Sequence, residues 1–292
     1  MTKKNQIRAV LVLALLVTIL GFFTFYIKDH PAIIETLKHI DPATLILLLG
    51  CYFLMLVIWM GVYNATLRLC GEPLKNQENM LLTIYSTLAN FFLPLQSGPG
   101  IRAGYLKKRH KVPISTYIMS TLIYYGMYAV ISAGFLFVAA SYWWVAVPAV
   151  IGAAAVSLLV IYIAKGRLLK KSTDLKLFLN RRYLLTLFAF TLGQLTLQCV
   201  IYGIELHGLD LHETVRRVIS YTGAANFSLF VALTPGAIGF REAFLEFSRR
   251  IHHFSTTAII SANLVDRGVF LVFLACMFII MLATHARNKL KV

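Results

Sequence analysis

Charge is scarce in this chain. Only 14% of its 292 residues are Asp, Glu, Lys or Arg, and acidic residues number 12 in all. A soluble domain carries roughly a quarter charged residues, so an ordinary soluble fold is excluded. Cysteine is also scarce: Cys51, Cys70, Cys199 and Cys276 show no paired spacing, which removes a disulfide framework and a zinc site. Catalytic signatures are missing. His212-Glu213 lacks the second histidine of a helical zinc-hydrolase motif, and Ser97-Gly98 has no histidine partner within a span. No aspartate-rich motif could bind magnesium and diphosphate, and the adjacent His252 and His253 read as solvated loop residues. No metal or cofactor is expected, and no catalytic residue is assigned.

What the chain has is apolar length. Hydrophobic residues make up 59% of it, and its mean hydropathy is +0.74. A helix needs about 20 apolar residues to cross roughly 30 Å of hydrocarbon. Runs of that size sit at about 7–27, 43–67, 114–140, 143–164, 183–206 and 256–284. No stretch between them could build a separate soluble domain. The expectation is an all-α polytopic integral membrane protein with about six full spans, forming one membrane domain over 1–292. The first run lacks a small-x-small cleavage site and reads as an uncleaved anchor.

The formal charge of +16 does not point to nucleic acid, because the basic residues fall mostly in short loops between spans. Such placement sets orientation. With both termini cytoplasmic, Arg68 and Lys75 lie inside, as do Lys107, Lys108, Arg109, Lys111, the basic stretch 165–182, and Arg287, Lys289 and Lys291. This works only if the stretch at about 80–106 enters and leaves on the same side. One cluster resists the scheme: Arg216, Arg217, Arg249 and Arg250 fall outside. Either they hold outer-leaflet phosphates or the second half is turned over.

Two stretches break in the middle of apolar sequence. The first runs from Tyr85 through Asn90 and Pro94 to Gly98-Pro99-Gly100-Ile101-Arg102. The second runs from Tyr221 through Asn226 to Pro235-Gly236-Ala237-Ile238-Gly239-Phe240-Arg241-Glu242. Paired interruptions of this kind mark the binding site of inverted-repeat transporters. The first repeat then covers 43–140 as span, re-entrant hairpin at about 80–106, span. The second covers 183–284, with its hairpin at about 214–246. Matched residues drift in offset from 136 at Asn90/Asn226 to 139 at Arg102/Arg241 and 141 at Ser120/Ser261.

Charged groups inside a bilayer are expensive and mark pathways or paired contacts. Arg102, Arg241, Glu242, Asp266 and Arg267 are the candidates, and Asn263, Asp266 and Arg267 share one helical face. A half-helix beginning after Pro235-Gly236 would offer unpaired N–H groups to an anion, and Gly236 and Gly239 would allow close backbone approach. A lipid phosphate is expected near Gly98–Arg102 and Pro235–Arg241, with Glu242 and Asp266 receiving a cationic headgroup. The alternative is structural pairing of Glu242 with Arg267 and of Arg241 with Asp266. Asn90, Pro94, Gly98, Gly100, Asn226 and Pro235 are read as bracing the hairpin turns. Gln194, Gln198 and Glu205 share a face suited to interhelical hydrogen bonds, while Tyr124, Tyr125 and Tyr128 read as packing.

The Pro235 to Ala243 run, the Leu93-Pro94 to Arg102-Ala103 stretch and Arg267 resemble the transmembrane region of lysylphosphatidylglycerol synthase and flippase proteins, the membrane region of multiple peptide resistance factor among them. The resemblance covers about 10–285. It implies a cell-membrane lipid-handling domain with re-entrant helices that moves an anionic or aminoacylated phospholipid between leaflets, or that presents lipid to a transferase partner. The family's first motif reads Gly-acid-x-x-Arg, whereas this chain has Pro99 at the acidic position. The soluble synthase domain is not in this sequence, so lysyl transfer by the chain alone is not expected. Oligomeric state is left open.

Overall fold

The computed structural model describes residues 40–93, 97–139, 178–209, 211, 213–230 and 240–289 apart from 253, with isolated positions at 28, 38 and within 147–162. Among them the elements are helices, without a strand. In chain order they are α1 (Pro42–Leu69), α2 (Asn76–Phe92), α3 (Gly98–Arg109), α4 (Ile114–Leu136), α5 (Arg181–Gly208), α6 (Val215–Phe227), α7 (Phe240–Phe247), α8 (Arg249–His252) and α9 (Thr256–Lys289). The expected spans at 7–27 and 143–164 lie wholly or mostly outside the described residues.

Four helices, α1, α4, α5 and α9, are long and apolar enough to cross a membrane. Their surfaces agree with that: Ile46 and Val57 on α1, Val200 on α5 and Ile279 on α9 stand between 47% and 71% exposed. Side chains of this kind, repeated along helix after helix, need lipid as their solvent. The chain is a multi-pass membrane protein.

The helix ends follow from local chemistry. Asp41 caps α1 by accepting from the Ala43 and Thr44 N–H groups at 3.1 and 3.3 Å, with Pro42 at the first helical position. α1 stops at Gly71, whose φ of 80° suits glycine, and the Glu72 and Gly71 N–H groups return to the Leu67 and Arg68 carbonyls. The apolar run expected to 140 ends as an α-helix at Leu136, followed by a tighter turn over Phe137–Ala139. There the Ser220 hydroxyl donates to the Leu136 carbonyl and Arg216 Nε to the Val138 carbonyl at 2.6 Å. Two carbonyls freed by the helix end thus gain donors from α6.

Contacts fix the helix directions. α1 and α5 are antiparallel, since Gly61 meets Phe190 near one end and Thr44 meets Gly208 near the other. α2 and α3 also run antiparallel: the Gly98 N–H donates to Asn90 Oδ1 at 2.7 Å at their shared tip, and Glu78 accepts from Tyr105 at 2.5 Å at their open end. In the second half Phe227 packs on Phe244 at 5.8 Å and Tyr221 on Phe254 at 5.0 Å, so the chain after α6 also turns back along it. The stretch expected as a hairpin at 80–106 holds most of α2 and α3, and of the stretch at 214–246 the described residues form α6, a short turn and most of α7. Two glycines let backbone press closely on backbone. A Cβ on Gly98 would sit 2.5 Å from the Ser86 carbonyl oxygen, and one on Gly223 would overlap the Leu136 backbone. Gly100, expected to brace the turn, lies instead inside α3 with open space where a Cβ would go.

An aromatic core holds α1, α2 and α9 together. Tyr52 lies 5.2 Å from Phe270 and 5.5 Å from Phe273, and Phe91 reaches Phe270 at 5.6 Å. Ring pairs at such spacing add to the burial of their area.

Candidate functional site

Two buried arginines stand near the starts of the returning helices, and their surroundings differ. Arg102, on α3, is 6% exposed. Its guanidinium lies over the Tyr63 ring of α1 at 3.6 Å, and the ionisable groups acting on it most are Tyr63 and three α4 residues, Tyr117, Tyr125 and Tyr124. Its Nε has no hydrogen-bond partner among the described residues, and no carboxylate there forms an ion pair with it. Of the α4 tyrosines expected to be packing, Tyr124 and Tyr125 thus also act on a buried cation.

Arg241, the second residue of α7, is 8% exposed. It is clamped from two sides: one nitrogen donates to Asp266 Oδ2 of α9 and another to the Tyr202 hydroxyl of α5 at 2.9 Å. Tyr52 of α1 donates to the other Asp266 oxygen. Glu205 of α5 is buried beside this group, acted on by Asp266 and Arg241. It was expected to bond a neighbouring helix, yet neither of its oxygens has a hydrogen-bond partner among the described residues. Of its two companions in sequence, Gln194 does accept from Tyr124 of α4, at 3.1 Å.

Tyr128 of α4 lies between the two groups. Both Tyr125 and Arg241 act on it electrostatically, and its hydroxyl donates to Asn226 Oδ1 at 2.5 Å. Asn226 in turn donates to the Thr222 carbonyl at 2.8 Å, so it ties α6 to α4, whereas Asn90 ties α2 to α3. Arg267 is 7% exposed, beside Asp266 on α9. Asn263, one turn earlier and 2% exposed, makes no side-chain hydrogen bond among the described residues. Pro94, Pro235, Gly236 and Gly239 lie outside the described residues, as does the side chain of Glu242.

Chemically, the two arginines are groups able to bind anions, each with a tyrosine beside it. One is already neutralised by a carboxylate, and the other, among the described residues, lies over a neutral ring. Among the described residues no group of three His, Cys, Asp or Glu converges to hold a metal, and Cys51, Cys70, Cys199 and Cys276 are free thiols.

Neither the comparison with curated proteins nor that with solved structures finds a match. A family model described as the lysylphosphatidylglycerol synthase transmembrane region matches residues 7–277. With buried arginines in a bundle of apolar helices and nearly the whole chain matched, this protein belongs to that family, whose name ties its membrane domain to lipid modification.

Proposed function

We propose that the chain is a lipid translocator in which two inverted half-domains, 43–140 and 183–284, carry a phosphate-bearing, anionic or aminoacylated headgroup between leaflets. The observation that carries this reading is Arg102: a buried guanidinium lying over the Tyr63 ring, with no carboxylate paired to it among the described residues, to which a lipid phosphate would bring paired hydrogen bonds. Helix directions support the inverted arrangement. α1 and α5 are antiparallel, and each is followed by a short helix pair that turns back on itself. At 1.5 Å per residue, α2 with 17 residues and α3 with 12 reach only about 25 and 18 Å, short of the roughly 30 Å of hydrocarbon. Re-entrant hairpins meeting near mid-membrane fit those lengths.

The headgroup would pass between Arg102 and Arg241 along Tyr125 and Tyr128 while the acyl chains stay in lipid. Glu242, Asp266 and Arg267 complete the proposed site, with Gly236 and Gly239 giving the backbone close approach. The basic loops at the open end of α2 and α3 support an orientation in the cytoplasmic membrane with both termini inside. The opposing cluster is partly neutralised, since Arg217 pairs with Glu213 at 2.9 Å and Arg249 with Glu246 at 3.0 Å.

The test is leaflet exchange of a phospholipid fluorescent at its headgroup, in vesicles holding the purified chain. Arg102→Gln abolishes exchange if the reading holds. Unchanged exchange in Arg102→Gln and in Arg241→Lys overturns the site. The family's synthase name favours a second reading, in which the chain presents lipid to a modifying transferase. Co-purification of such an enzyme, with no exchange by the chain alone, selects it.

A further inference from the structure

The Arg241 cluster holds two carboxyl groups for one guanidinium. Asp266 has a donor on each oxygen, the Tyr52 hydroxyl on Oδ1 and Arg241 Nη1 on Oδ2. Glu205, 1% exposed, has none on either of its own among the described residues, although it stands one turn after Tyr202, whose hydroxyl meets Arg241, and within electrostatic reach of Asp266. Two carboxylates are acceptors only and cannot bond one another, whereas a carboxylic acid donates to a carboxylate through a short, strong O–H···O bond. Charge balance points the same way. Among the described residues, the groups that interact electrostatically with Glu205 are Tyr52 of α1, Tyr202 of α5, Tyr221 of α6, Arg241 of α7 and Asp266 of α9. Arg241 is the one cation among these, and it already serves Asp266. A second ionised carboxylate would be left uncompensated out of water, which is the costly arrangement.

We propose that Glu205 carries a proton in this arrangement and donates it to Asp266, making Glu205, Asp266 and Arg241 a proton-binding site that couples opening of the lipid path to protonation. The coupling rests on the translocator reading; the bound proton does not. When the helices part, water reaches Glu205 and takes the proton, and the resulting carboxylate competes with Asp266 for Arg241. That competition loosens the clamp holding α7 to α9. Reprotonation restores it.

Infrared spectroscopy of the full chain in lipid nanodiscs tests the proton directly. A protonated-carboxyl C=O band is expected at neutral pH, shifting in deuterium oxide. It is lost in Glu205→Gln and retained in the surface control Glu72→Gln. Should the amide fail to fold, Glu205→Asp moves the band instead of removing it. Absence of the band in the native chain, or its persistence unchanged in both Glu205 variants, overturns the site. So does a melting temperature that rises with sodium over choline in the native chain but not in Glu205→Gln, because a metal cation would then hold the place of the proton. For the coupling, exchange should quicken about tenfold per pH unit below the ionisation point, as release of a single proton requires, and lose that slope in Glu205→Gln. A pH-independent native rate overturns the coupling. The band without lipid exchange keeps the proton and removes the translocator reading, and exchange without the band does the reverse.

Discussion

Arg102 and Arg241 live in opposite company. Arg241 is held by Asp266 and Tyr202, with Glu205 behind them. Arg102 lies on a tyrosine ring, with no carboxylate paired to it among the described residues. A buried charge with its partner is part of the architecture, and removing one member strands the other. A buried charge whose nearest company is aromatic leaves room for something that comes and goes. The sequence reading pairs the two positions at an offset of 139 residues; their neighbours set them apart.

The largest effect that would sharpen this contrast is at the clamp. Arg241→Ala leaves Asp266 buried without its cation and should remove about 3–5 kcal/mol of stability, read as a collapse in melting temperature by detergent-based thermal denaturation. Arg102→Met should change stability by no more than about 2 kcal/mol, the worth of a desolvated ring contact, while abolishing lipid exchange. If Arg102→Met unfolds as readily as Arg241→Ala, the contrast is broken. Next comes packing: Gly223→Ala drives a methyl into the Leu136 backbone and should cost about 1–3 kcal/mol, whereas Gly100→Ala meets open space and should leave the melting temperature unmoved. Asn90→Ala removes the donor–acceptor tie at the tip of α2 and α3, a loss of about 1 kcal/mol that appears as faster amide exchange at Gly98.

The smallest effect is at the open end of that pair. Burial raises the Glu78 carboxyl, but hydrogen bonds from Tyr105 and His110 and the positive charges of His110 and Arg109 outweigh it, holding the group below its ordinary value. A lowered carboxyl adds stability that is complete above the unfolded value and is lost as pH falls through the folded one. Acidification through the carboxylate range should therefore quicken amide exchange near Tyr105 and His110 in the native chain. Glu78→Gln should show no such pH slope.

The sequence reveals the breaks because proline and glycine interrupt apolar runs, and it reveals the buried charges because such residues are rare in spans. It does not tell the arginines apart. Tyr63 belongs to a different helix from Arg102, and a tyrosine in an apolar run gives no sign that a cation rests on it. Pairing of Arg241 with Asp266 was one of two readings, since sharing a helix face fixes a direction and no distance. Glu205 shared its face with Gln194 and looked like the same kind of bond; only its depth and its acidic neighbour separate the two. Gly223 left no signal, because a glycine inside a helix announces neither a turn nor the backbone that presses against it.

The short helices α2 and α3 carry a consequence for speed. Where a helix pair stops partway through the bilayer, the polar ends at its tip must be kept wet or covered by protein. Under the proposed function, the obstacle a headgroup would meet is the narrow strip beyond that tip rather than the full hydrocarbon slab. Because the energy of moving a charge rises with the thickness of oil it must cross, such a translocator would hasten passage through geometry alone, by shortening the dry part of the journey.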